Sequence, residues 1–220
     1  MPMVGAEQGA VEFPEQAELP ETTKHLELRT LLYLFLKLAF EKVAHVGSEQ
    51  FVYWDPTDAK ACLAPDGFVR FGKPDEHFDS WKVWERGAPH VAIEIISQSD
   101  EAAWDSKLER YRRLGVSELV AFNPNLPEQP LRVWDFVGDD FLERRLFEPW
   151  AHSPHLNGYW LAVEVPGEGL TLRLSHDPQG EHLFLTPAEA EARRADAEAR
   201  RADFLQQELD ELKASLKRES

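Results

Sequence analysis

His90-Val91-Ala92-Ile93-Glu94-Ile95-Ile96-Ser97 is the most apolar run in the body of this chain, and its reading decides the fold. Its length and branched side chains predict a buried strand. Alternation sends Val91, Ile93 and Ile95 to one face and Ala92, Glu94 and Ile96 to the other. Both faces are apolar, so the strand is expected to be covered on both sides. Next, Ser97-Gln-Ser-Asp100 has the spacing of a helix start. A helix runs from there to Leu114, with Gly115 suited to its C′ position. Glu118 to Phe122 is the next strand, ended by Asn123-Pro124. Strand, helix and strand in this order form a crossover of the right length for a parallel pair.

On the N-terminal side, residues 1–20 are rich in Glu and Pro and predict an irregular lead-in. From Glu21 to Val43, Leu28, Leu31, Leu32, Phe35, Leu38 and Ala39 recur three and four apart, the mark of an amphipathic helix with Thr22 or Thr23 as N-cap. Residues 50–54 and 67–71 read as strands joined through the turn chemistry of Asp55-Pro56, and Pro65-Asp66 opens the second. Residues 73–89 are polar, carry Trp81 and Trp84, and read as a long loop or a short helix. On the C-terminal side, Leu131–Val137 and Phe141–Phe147 flank Gly138-Asp139-Asp140, a hairpin signal. Residues 159–165 and 170–174 form a second hairpin around Pro166-Gly167-Glu168-Gly169. The fold class expected is α/β, a mixed central sheet flanked by helices.

Beyond Leu185 the composition changes abruptly. Thr186-Pro-Ala-Glu189 combines an N-cap, a proline at the first helical position and a capping-box acid. Ala-Glu-Ala-Arg-Arg-Ala-Asp then occurs twice in succession, at 190–196 and 197–203. A seven-residue repeat of helix formers is a coiled-coil signature. Ala188, Ala192, Ala195, Ala199 and Ala202 hold the seam, which continues through Leu205, Leu209, Leu212 and Leu216. The domains expected are 1–20 as lead-in, 21–185 as the body and 186–220 as a coiled-coil helix. That helix calls for a partner, and a homo-oligomer, a dimer through the C-terminal helix, is the expectation.

The bulk numbers exclude several classes. A chain of 220 residues that is 43% hydrophobic, with 7 Trp, 13 Phe and 4 Tyr, buries a substantial core. Cys62, the single cysteine, makes no internal disulfide, and no Cys/His spacing suggests zinc. The first residues lack both a basic start and an apolar run, and no stretch is long and apolar enough to span a membrane. The cytoplasm is the compartment expected. A net charge of −16 argues against a passive, charge-driven nucleic-acid binder. It is compatible with a metal-dependent nuclease, whose carboxylates gather the cation.

Three residues break the local rules. Glu94 places a carboxylate on a strand expected to be buried on both faces, which costs several kcal/mol unless a metal ion or a cation compensates it. The competing reading is a strand-edge glutamate in water. Lys107 is the second. With Trp104 as origin and about 100° per residue, Leu108, Tyr111 and Leu114 fall near +40°, −20° and −80°. Lys107 falls near −60° on the same wheel, inside that apolar arc. Its ammonium therefore points toward the sheet and Glu94, the alternative being that it snorkels into solvent. Asp66, the third, is only a turn residue by itself. Its place before the Glu94 strand supplies the second acid of a two-carboxylate site, enough for an Mg²⁺ that keeps several waters.

In this order, Pro65-Asp66, Val91-Ala-Ile-Glu94-Ile-Ile-Ser97, Lys107-Leu-Glu-Arg-Tyr111, Gly115-Val-Ser-Glu118 and Asn123-Pro124 resemble the Uma two (Uma2) family. This bacterial family is restriction-endonuclease-like and assigned to the PD-(D/E)XK nuclease superfamily. The resemblance covers residues 22–150, and the C-terminal coil resembles tails found on some members. It implies a restriction-endonuclease-like core in which Asp66, Glu94 and the backbone carbonyl of Ile95 ligate Mg²⁺ or Mn²⁺. The superfamily pattern places a lysine two residues after the acid, where this chain has Ile96. In this family a lysine from the following helix looks like the substitute, and Lys107 matches it. The implied activity is hydrolysis of phosphodiester bonds in DNA, with Asp66, Glu94 and Lys107 as catalytic residues. His25, Glu49, Ser97 and Tyr111 are candidates for the groups behind them. The alternative is a catalytically silent member that acts as an oligomeric binding or scaffold module through its coil.

Overall fold

Val91–Ile95 is a strand with every residue buried, and its two faces feed two separate cores. In the computed structural model, which describes residues 22–96 and 103–219, this strand (β6) sits near the middle of a six-stranded sheet. The sheet order is β1 (Ala44–Gly47), β4 (Gly67–Phe71), β6, β7 (Glu118–Phe122), β8 (Leu131–Val137) and β9 (Asp140–Glu143). Within this sheet only β6 and β7 run parallel, and its other neighbouring pairs are antiparallel. The crossover between the parallel strands is made by helix α3 (Trp104–Leu114), closed by Gly115 in the left-handed region at φ 76°. The helix start read at Ser97–Asp100 lies outside the described residues.

Val91, Ile93 and Ile95 join Val120, Phe122 and Val133 against helix α1 (Thr23–Phe40). Thr22 is the N-cap of α1 and accepts the His25 N–H. Leu28, Leu32, Phe35, Leu36 and Phe40 are the buried stripe of this helix. The same face of the sheet also carries a three-stranded antiparallel sheet of β10 (Trp150–Ser153), β11 (Gly158–Val165) and β12 (Gly169–Ser175). Ala92 and Ile96 face the opposite core, with Trp104, Tyr111 and Leu114 of α3. A small sheet completes that side, in the order β3 (Cys62–Leu63), β2 (Val52–Tyr53) and β5 (Trp81–Lys82).

Three expectations are corrected. The strand read at 50–54 shrinks to Val52–Tyr53 and does not pair with the 67–71 strand. The Asp55 carboxylate accepts the Thr57 N–H at 2.8 Å, which turns the chain so that Cys62–Leu63 returns against β2. The second hairpin pairs as read, but in its own sheet, because Trp160, Leu172 and Leu174 bury against the central sheet face to face. Residues 73–89 hold β5 and a single helical turn, α2 (Val83–Arg86). Trp81 anchors them, fully buried and stacked on His45 with ring centroids 4.7 Å apart.

Strand β1 has no counterpart in the sequence reading. It pairs Gly47 with Phe68, and a β-carbon at Gly47 would lie 2.2 Å from the Phe68 ring. Glycine is what lets the two strands close here. Residues Leu185–Ser220 form a second compact unit, built on helix α4 (Pro187–Glu219). Its start is a reciprocal capping box: Glu189 N–H to Thr186 Oγ1 at 3.2 Å, and Thr186 N–H to Glu189 Oε2 at 2.7 Å. No helix among the described residues is long and apolar enough to cross a membrane.

Candidate active site

Strand register brings the two acids together. The last β4–β6 pair is Gly67 with Ile93, so one step further Asp66 comes opposite Glu94. Asp66 is 6% exposed and Glu94 2%. Asp66 is gripped on both oxygens: Oδ1 lies 2.7 Å from His25 Nε2, and Oδ2 accepts the Ile95 N–H at 2.7 Å. Ser48 Oγ donates to the Asp66 carbonyl at 2.7 Å, tying the start of β4 to the end of β1. The Ile96 N–H goes the other way, to the Phe122 carbonyl. A strand residue points its N–H and C=O to the same side, so the Ile95 carbonyl faces the Asp66 edge.

Glu94 is held from α3. Lys107 Nζ donates to Glu94 Oε2 at 2.7 Å, and the Tyr111 hydroxyl donates to Oε1. Lys107 and Tyr111 lie four positions apart, on one helix face. Ile96, where the superfamily pattern has its lysine, packs instead with Trp104 and Tyr111 in the core under the same helix. The Lys107 side chain remains 22% exposed, at the boundary between core and solvent.

Burial pushes the Glu94 carboxyl up from 4.5 to about 7; the Lys107 charge opposes this and the Asp66 charge adds to it. The Tyr111 hydroxyl is raised well above its ordinary value, first by burial and then by the negative charge of Glu94. It therefore serves as a neutral donor at neutral pH. The site is thus two buried carboxylates that repel each other, one lysine and one tyrosine. Among the described residues no group of three or more His, Cys, Asp and Glu side chains is placed to hold a metal ion. A cation here would rest on two carboxylates, backbone oxygen and water. The oxygens fit: each has a second lone pair beyond the hydrogen bond described.

His25, Asp66, Glu94, Ile95, Lys107 and Tyr111 converge by these contacts. Glu49 takes a different place. It has φ 49°, its N–H reaches the Pro65 carbonyl at 2.9 Å, and its half-exposed carboxylate pairs with Arg29 of α1. Ser97 lies outside the described residues. Sequence reasoning missed Ser48, because the short β1 before it shows no alternation, and the signal was the glycine at 47.

Residues 15–164 match the Uma2 family, described as "Putative restriction endonuclease". No curated protein matches the chain. Among solved structures, one similar chain is described as "a putative nuclease belonging to DUF820 from Anabaena variabilis ATCC 29413". It is 15% identical, with a TM-score of 0.43, over 69% of this chain and 76% of that one. The family match takes in α1, the central sheet and α3 with every acid of the site, and on that span the chain belongs to the Uma2 family.

Proposed function

We propose that this protein is a metal-dependent endonuclease that hydrolyses phosphodiester bonds in DNA, with Asp66, Glu94 and Lys107 as its catalytic residues. The observation that carries the reading is the buried juxtaposition of Asp66 and Glu94 beneath a boundary lysine. Two desolvated like charges cost a fold stability and bring it no packing, whereas they suit a divalent cation. Asp66, Glu94 and the Ile95 carbonyl would hold Mg²⁺ or Mn²⁺, hard ions that take oxygen ligands. When bound, such an ion polarises the scissile phosphate and lowers the pKa of a coordinated water.

The chain's own residues set the stage for that chemistry. His25 and the Ile95 N–H fix the orientation of the Asp66 carboxylate, and Tyr111 fixes that of Glu94. Lys107 is anchored on Glu94, and its side chain is 22% exposed. It orients the attacking water and stabilises charge that builds on the phosphate oxygens. The expected phenotype of Lys107→Ala is loss of cleavage at preserved metal binding and preserved fold. The check is a DNA cleavage assay with Mg²⁺ and Mn²⁺ beside calorimetric metal titration. Cleavage at the wild-type rate would place the essential cation elsewhere.

A second reading has its own observation. Lys107 lies against Glu94 and His25 against Asp66, so each carboxylate has a local cationic or hydrogen-bonding partner without a metal. A catalytically silent scaffold would show this closed arrangement, and it would bind no divalent cation at the site.

A further inference from the structure

Beside the Glu94–Lys107 pair lies a cleft of about 310 Å³, lined by Ile96, Trp104, Asp105, Asn123, Gln129 and Arg132, with Leu126 and Pro130 at its rim. This volume is at the lower end of the range of about 300–1,000 Å³ for small-molecule sites. The cleft opens at the carboxyl ends of the parallel strands β6 and β7, the usual position for ligands in open α/β sheets. Ile96 follows Glu94 by two residues on the same strand face, about 7 Å along. Trp104 precedes Lys107 by three positions on α3, one helical turn. The cleft is therefore a direct neighbour of the reacting centre.

Its chemistry is that of a flat, uncharged, hydrogen-bonding guest. Trp104 is 7% exposed and braced by Trp134, with ring centroids 5.4 Å apart, which makes a fixed aromatic wall. Its Nε1 is buried with no hydrogen-bond partner among the described residues. A buried indole N–H normally has one, and an acceptor brought by a ligand would supply it. Gln129 offers an exposed amide, a group that both donates and accepts. The Asn123 Oδ1 accepts the Asn125 N–H at 3.0 Å, which sets the loop that carries Leu126 and Gln129. Asp105 and Arg132 contribute one charge of each sign, and the Arg132 guanidinium is already paired with Glu143 through two hydrogen bonds of 2.8 Å, the first cause of its raised pKa. Arg132 thus brings the cleft no unpaired positive charge. That disfavours a phosphate in the cleft and favours a heterocycle.

We infer that this cleft is a nucleobase subsite, which takes the base of a nucleotide flanking the scissile phosphate. The inference rests on the nuclease reading for its substrate class. It assigns Trp104 as the stacking or edge wall and the amide of Gln129 as the group that reads the base edge, with Asn123 setting the loop that carries it.

The test uses the full-length protein with Ca²⁺ in place of Mg²⁺, so that strands stay whole. A labelled single-stranded DNA oligonucleotide is titrated by fluorescence anisotropy while one abasic residue is walked along it. One abasic position should weaken wild-type binding about tenfold, the size expected for losing one base–aromatic contact. Leu126→Trp, a rim residue 43% exposed that can fill the cleft without disturbing the core, should bind the intact strand that weakly and lose the positional effect. Gln129→Ala should change which base is preferred there while leaving the fold intact. Binding that ignores abasic substitution at every position overturns the subsite, as does wild-type affinity in Leu126→Trp. A parallel assay with Mg²⁺ separates the two readings. Cleavage without base-dependent binding removes the subsite and keeps the nuclease. Base-dependent binding without cleavage removes the nuclease and keeps the subsite.

Discussion

Glu94 ties protonation and stability into one residue, and on the proposed function it ties in metal affinity as well. Its carboxyl is raised from 4.5 to about 7, chiefly by burial. The unfolded chain therefore ionises it more easily than the folded one. Its contribution to stability is fully present below pH 4.5 and is lost as the pH rises toward 7. On the proposed function, a divalent cation held by the carboxylate would compete with the proton. Metal affinity should therefore climb through the interval below pH 7 and level off above it, and the thermal shift produced by Mn²⁺ should grow over the same window. A thermal-shift series at several pH values checks this, and a shift independent of pH would exclude Glu94 as a ligand. The direction of Lys107 is legible in the amino-acid order alone, because a helical wheel needs only the periodicity of its apolar neighbours. The grip on Asp66 is not. It depends on the Ile95 N–H and on Ser48, whose positions follow from strand register rather than from any local pattern.

At the scale of elements, strand β6 divides its side chains between two cores, and most of what covers them could be read from period and turn chemistry. The capping box at Thr186, the left-handed Gly115 and the parallel pair across α3 all follow local rules. The two-residue strands β2, β3 and β5 do not, since two residues cannot show a period. The join between the central and the β10–β12 sheets also escaped the sequence. It centres on Glu118, fully buried on β7, whose Oε1 accepts the Trp160 indole N–H at 3.3 Å. Its Oε2 lies 3.5 Å from Arg144, which also pairs with Asp135. Burial raises the Glu118 carboxyl. Glu118→Ala leaves the Trp160 N–H without an acceptor and removes one partner of Arg144. It should cost about 1–3 kcal/mol, read as a lower urea midpoint at an unchanged slope. An unchanged midpoint would show that the two sheets are held by their apolar contacts alone.

For the whole molecule, the acidic balance and the C-terminal helix pull in different directions. A net charge of −16 repels DNA at long range, so the DNA binding that the proposed function requires would have to come from local chemistry at the site. Helix α4 spans 33 residues and keeps Phe204, Leu205, Leu209 and Leu212 exposed. A solitary helix of this length is marginal in water unless its apolar stripe is covered. We propose that a second copy of the chain covers it, as the repeated alanine and leucine spacing suggests. Truncation before Thr186 should lower the particle mass in sedimentation while the circular dichroism of the remaining body persists. An unchanged mass would mean that α4 does not drive self-association.

The claim on which the functional account turns is that Asp66 and Glu94 together form a divalent-cation site. Calorimetric titration of the full-length protein with Mn²⁺, at a pH above the Glu94 value of about 7, measures it without requiring a substrate. The account predicts saturable binding by the wild type and its loss in both Asp66→Ala and Glu94→Ala, with each variant still folded. Binding that persists unaltered in both variants, or a wild type that binds no divalent cation, would contradict it.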